Sequence, residues 1–94
     1  MSGGAPGEGE KLELLKEKPL FCSYHKRFGI WRVHMPDKTV IIHDAKHYLE
    51  ARLLEDIYRE MGRKAYRLNL DVVEDEKIAR ELLARCPRIF RYRL

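Results

Sequence analysis

Ninety-four residues, 45% apolar and 36% charged, allow one domain with one modest core and exclude a two-domain layout. No apolar run approaches bilayer-spanning length, and the Gly- and Glu-rich start has no apolar signal segment, so an intracellular chain with no membrane partner is expected. Nineteen basic against fifteen acidic residues leave a formal charge of +4, which favours an anionic partner.

Residues 1–18 read as a flexible tail. Four of the six glycines lie in residues 1–9, where no apolar periodicity offsets the cost of ordering the chain. Leu12, Leu14 and Leu15 sit among alternating charges and allow a short helix that Pro19 stops. Residues 19–94 form the compact domain. Residues 20–26 are a first strand, with Leu20, Cys22 and Tyr24 on one side. Residues 27–29 turn the chain, and Gly29 is free to take positive φ. Residues 30–35 are a second strand; Trp31, Val33 and Met35 share one face, Arg32 and His34 the other. Pro36, Asp37 and Lys38 make a turn into a β-branched third strand at residues 39–43.

Residues 44–62 predict a helix capped by Asp44 and ended by Gly62. Its stripe of Leu49, Leu53, Leu54, Ile57 and Met61, widened by Tyr58, is expected to be buried on the sheet. Residues 65–72 alternate cleanly, with Tyr66, Leu68, Leu70 and Val72 against Arg67, Asn69 and Asp71. Glu74, Asp75 and Glu76 open a second helix over residues 74–86, where acidic groups suit the positive end of the dipole. Ile78, Ala79, Leu82, Leu83 and Cys86 form its buried stripe, and Pro87 ends it. Residues 88–94 are a last strand, with Phe90, Tyr92 and Leu94 on one side and Ile89, Arg91 and Arg93 on the other.

The expected order is β-β-β-α-β-α-β, an α+β domain with a mixed sheet. Alternation at residues 65–72 predicts one covered sheet face, hence a two-layer sandwich with both helices on that face. Trp31, Leu53, Ile57, Leu68, Leu70, Leu82 and Phe90 are the expected core.

The opposite, open face would gather Arg32, His34, Arg67, Asn69, Arg91 and Arg93, edged by Lys26, Arg27, Arg63 and Lys64. Eleven of the nineteen basic residues are Arg, whose planar fork suits phosphate. This surface predicts a non-catalytic nucleic-acid-binding module that neutralises backbone phosphates, with DNA and RNA both open as the partner. No aromatic is expected on that face, so backbone or duplex contact is favoured over base stacking. A small protein-interaction subunit is the alternative, docking through Leu12, Leu14 and Leu15 or through residues 88–94 as an edge strand, which also permits a homodimer.

Three catalytic or metal constellations carry less. Cys22 and His25 with His43 and His47 have zinc-ligand residue types, but residues 22 and 25 of one strand point to opposite faces, so no metal is expected. Cys22 and Cys86 lie outside any CxxC and are expected as free thiols. Pro36-Asp37 followed by Asp44-Ala45-Lys46 is similar to a metal-dependent nuclease pattern, but Glu50 and Asp71 alone cannot hold two metals. Three antiparallel strands before a helix likewise resemble the start of the ribonuclease-H-like arrangement, which implies an acid on the first strand; residues 20–26 have none. A histidine-based nuclease pair would draw on His25 with His43 or His34. No Gly-rich phosphate loop or other cofactor motif is present in the sequence, and no cofactor is expected.

Overall fold

The computed structural model describes residues 12–44 and 47–92. Of the expected segments, residues 1–11, Ala45, Lys46, Arg93 and Leu94 lie outside the described residues. The strands are β1 (Phe21–His25), β2 (Ile30–His34), β3 (Val40–Asp44), β4 (Ala65–Leu68) and β5 (Ile89–Tyr92); the helices are α1 (Tyr48–Glu60) and α2 (Val73–Ala84). A single 3-10 turn, Leu14–Lys16, stands where the short N-terminal helix is expected. The five strands form one mixed sheet in the order β4-β3-β2-β1-β5. β1, β2 and β3 are an antiparallel meander, while β4 pairs parallel with β3 and β5 parallel with β1. Element order and sheet type therefore agree with the sequence. Among the described residues, no helix is long and apolar enough to cross a membrane.

The layering differs from expectation. Ile41 packs with Cys22, Val33 and Leu68 and with Ile78, Ala79 and Leu82 of α2. Its neighbours Val40 and Ile42 pack instead with Ile30 and with Ala51, Leu54 and Tyr58 of α1. Successive strand residues point to opposite faces, so the two helices lie on opposite faces of the sheet, not on one. The β-branched run in β3 carries this: it is apolar at consecutive positions and fills a core on either side.

α1 is also rotated from its expected seat. Ala51 is fully buried, whereas Leu49, Leu53, Ile57 and Met61 are 74%, 59%, 42% and 64% exposed. Polar ties set the rotation. Glu55 Oε2 accepts the Arg67 backbone N–H at 3.2 Å, and the Arg59 guanidinium donates to the Ala65 carbonyl at 3.1 Å and 3.2 Å. These bonds cover the outer edge of β4, so the helix turns its polar flank to β4 and leaves its leucine ridge outside.

The remaining core residues divide. Leu68 and Leu82 are buried as expected, Trp31 and Leu70 are half-buried, and Phe90 is exposed with Leu53 and Ile57. β4 ends at Leu68, short of residue 72. The Asn69 N–H donates to the buried Asp75 carboxylate at 2.8 Å, and the Asp71 N–H to the Asn69 side chain at 2.9 Å, which bends the chain into α2. Asp44 extends β3 opposite Ile30 and is not the helix cap; His47 precedes α1. Gly29 and Gly62 take positive φ, 64° and 80°, as their turns require.

Cys22 and Cys86 are joined in a disulfide, their Cα atoms 5.8 Å apart, and are not free thiols. Cys22 faces the α2 side of β1, and Cys86 lies just past the end of α2. The bond pins the helix to a strand 64 residues away in sequence.

Candidate functional site

α1 packs over β3 and β4. On that face, no helix among the described residues packs over β1 and β5. The pairing of β1 with β2 and β5 places Phe21, Ser23, His25, Arg32, His34, Phe90 and Tyr92 on this same uncovered half-sheet. The outcome is a trough with an aromatic floor and one helical wall.

The rings on the floor are already organised. His34 stacks on Phe21 with centroids 4.2 Å apart and planes 14° apart, and Phe90 meets Phe21 edge-on at 5.3 Å. Phe90 and Tyr92 remain 44% exposed each, which leaves ring surface for a ligand. At the far end His25 stacks on Phe28 at 4.6 Å. A cavity of about 180 Å³ separates floor from wall there, lined by His25, Phe28, Ile30 and Arg32 below and Glu50, Leu53 and Leu54 above.

Positive charge runs along the trough. Arg32 sits in its middle, its guanidinium 5.1 Å from the Tyr92 ring centroid and donating to the Tyr58 hydroxyl at 3.3 Å. The Arg32 Nε is buried and has no hydrogen-bond partner among the described residues. Arg63 lies 5.3 Å from the Tyr58 ring centroid and donates to the Lys38 carbonyl at 3.0 Å. Arg88 lies 5.5 Å from the Phe90 ring. Lys26 and Arg27 are exposed in the turn after β1, and the Lys26 N–H donates to the Tyr92 carbonyl.

His34 reports this field. Its pKa is lowered from 6.5 to about 4, first by burial and then by the charges of Arg32 and Arg63. The imidazole is therefore neutral at pH 7 and serves as a flat ring and not as a cation.

The expected site is thus partly assembled and partly dispersed. Arg32, His34 and Arg63 come together, and Lys26 and Arg27 border the same trough. Arg67 lies beyond α1, 4.3 Å from the Tyr48 ring, with the helix between it and the trough. Lys64 is exposed in the turn leading into β4. Arg91 points to the other face, because its neighbours Phe90 and Tyr92 occupy this one. Arg93 lies outside the described residues. The single open face with four arginines is not formed, since α1 covers one half of it and the parity of β5 removes Arg91.

Sequence reasoning missed the aromatic floor. The alternation in the last strand did place Phe90 and Tyr92 together. Assigning Phe90 to the core hid their exposure, and only the parallel pairing with β1 shows which face they occupy.

The zinc-type constellation does not assemble. Cys22 is bonded to Cys86 and lies on the face opposite His25. Among the described residues no three His, Cys, Asp or Glu side chains converge as metal ligands. Asp37 precedes β3, where its Oδ1 accepts the Thr39 N–H, while Asp44 closes the same strand. Ala45 and Lys46, the rest of that pattern, lie outside the described residues. The larger cavity of about 500 Å³, between Leu12 and Leu15 and the start of α2, has Glu74, Asp75 and Glu81 against Lys77 at its rim. That balance does not suit an anion.

Protein-family models, curated proteins and solved structures contain no match to this chain.

Proposed function

We propose that the chain is a single-stranded nucleic-acid-binding module that uses the uncovered half of its sheet. The observation that carries this reading is the half-sheet itself: exposed Phe90 and Tyr92 beside the Phe21–His34 stack, with Arg32 among them. Bases present flat π surfaces that stack on such rings with little dependence on sequence, while arginines neutralise the phosphates. Stacking requires unpaired bases, so a single strand is the substrate and a duplex is not. This departs from the duplex contact favoured on sequence grounds, because aromatic rings now stand where none were expected. Arg32 and Arg63 would hold phosphates at the centre and one end, and Lys26 and Arg27 at the other.

Binding of the wild type and of Phe90→Ala plus Tyr92→Ala to single- and double-stranded DNA and RNA, across a salt series, tests the reading. Each lost stacking contact should cost about 1–3 kcal/mol per base, and affinity for single strands should fall steeply with salt. The double substitution should barely move the melting curve, since both rings are half in solvent. Equal affinity for duplexes, or indifference to loss of both rings, would reject it.

A second reading, a protein-interaction subunit, draws on β5. The Arg88 and Tyr92 carbonyls accept bonds from the Cys22 and Lys26 N–H groups, which turns the Ile89 and Arg91 backbone groups outward on a sheet edge that no other strand among the described residues covers. Salt-insensitive binding of an extended peptide along that edge, with no nucleic-acid affinity, would favour it over the first.

A further inference from the structure

We propose that the exposed ridge of α1 is a two-fold interface whose occupant is a second copy of this chain. Leu49, Leu53, Ile57 and Met61 follow one another at four-residue spacing, so they form one continuous row on the outside of the helix. All four are exposed, from 42% to 74%. Together they present roughly 400 Å² of apolar surface, at the level where patches on monomers are commonly functional. Two such rows with their polar flanks would bury about 1,000 Å², near the lower bound for a specific interface.

Charge selects the partner and its direction. Arg52 flanks the row in its first half, and Asp56 and Glu60 flank it on the same side in its second half. None of the three forms an ion pair or side-chain hydrogen bond among the described residues, whereas Glu55 and Arg59 of the same helix are bonded to each other at 3.1 Å. An antiparallel copy, related by a two-fold axis between Leu53 and Ile57, brings Arg52 of each copy opposite the acidic half of the other. A parallel copy would put the two flanks on opposite sides of the contact, so Arg52 would meet neither Asp56 nor Glu60. The ridge is therefore complementary to itself in one orientation, which is the requirement of an isologous interface. Leucine and isoleucine rows of adjacent turns can interdigitate in that arrangement.

Sedimentation velocity of the full chain over a wide concentration range tests this. The expected result is a reversible monomer–dimer equilibrium in the micromolar range, as befits a small interface. Leu53→Glu should weaken it by more than about tenfold with a melting curve little changed, because Leu53, although it borders the cavity above His25, is 59% exposed in the monomer. Arg52→Glu should weaken it as well, and adding Asp56→Arg and Glu60→Arg to that variant should restore it. If Leu53→Glu does not fold, the Arg52 series, wholly on the surface, carries the decision. A chain that stays monomeric throughout overturns the proposal. So does a dimer unmoved by Leu53→Glu, or one that the compensating charges fail to restore.

Discussion

The imidazole of His34 lies flat on the ring of Phe21, 4.2 Å from centroid to centroid, within reach of the charges of Arg32 and Arg63. Burial and the two guanidinium groups keep it unprotonated down to about pH 4. The unfolded chain, in contrast, takes up this proton near pH 6.5. Between those values the unfolded state holds more protons, so stability should fall as pH drops from about 6.5 to about 4 and level off below. His34→Phe keeps the stack and removes the titration. Urea unfolding across this range should lose that part of the slope in the variant.

The same proton offers a reading of ligand binding. A phosphate beside Arg32 and Arg63 would offset the two charges that hold His34 neutral, and its pKa should rise from about 4 toward the ordinary value. An NMR titration of the His34 ring with and without a single-stranded oligonucleotide measures this. An unchanged midpoint with saturating oligonucleotide would place the ligand elsewhere on the surface.

Ile41 and Ile42 are both fully buried, and they belong to different cores. Ile41→Ala and Ile42→Ala should each cost about 2–5 kcal/mol in denaturant unfolding. Leu53→Ala should cost less than about half a kcal/mol, although Leu53 is a leucine in the middle of an amphipathic helix. In a two-layer sandwich one of the isoleucines would instead be cheap and Leu53 expensive.

The Cys22–Cys86 bond closes a loop of 64 residues and joins β1 to the end of α2. Its removal by Cys86→Ser should lower stability by about 2–4 kcal/mol, most of it through the freed unfolded chain. Thiol titration of the denatured, unreduced protein should find no free thiol, and two after reduction. Two reactive thiols without reductant would contradict the bond.

Glu55 accepts both the Arg67 N–H and the Arg59 guanidinium, at the edge of β4. Glu55→Ala should cost about 1–3 kcal/mol, because it strips a partner from a backbone group and from a cation that it also positions. Equilibrium unfolding checks the loss. The sheet edge it uncovers should also show as faster aggregation on heating.

Local pattern alone determined the elements of this protein. Alternation, helical spacing, Gly29, Gly62 and Pro87 mark five strands, two helices and their order, because each is dictated by periodicity and backbone sterics within a few residues. Which side of the sheet a helix covers is a long-range matter. An apolar run such as Val40-Ile41-Ile42 suits one buried face or two, and the alternation at residues 65–72 points to the wrong choice. Tertiary structure decided that both faces are covered. It also decided that Glu55 and Arg59 turn α1 so that Ala51, not the leucine row, meets the sheet. The candidate site followed from those two decisions. Arg32 and His34 share a face by strand parity, which is legible in sequence. Their meeting with Phe90 and Tyr92 depends on β5 crossing the whole sheet to pair with β1, a contact between residues nearly seventy positions apart. No pattern within either strand records it.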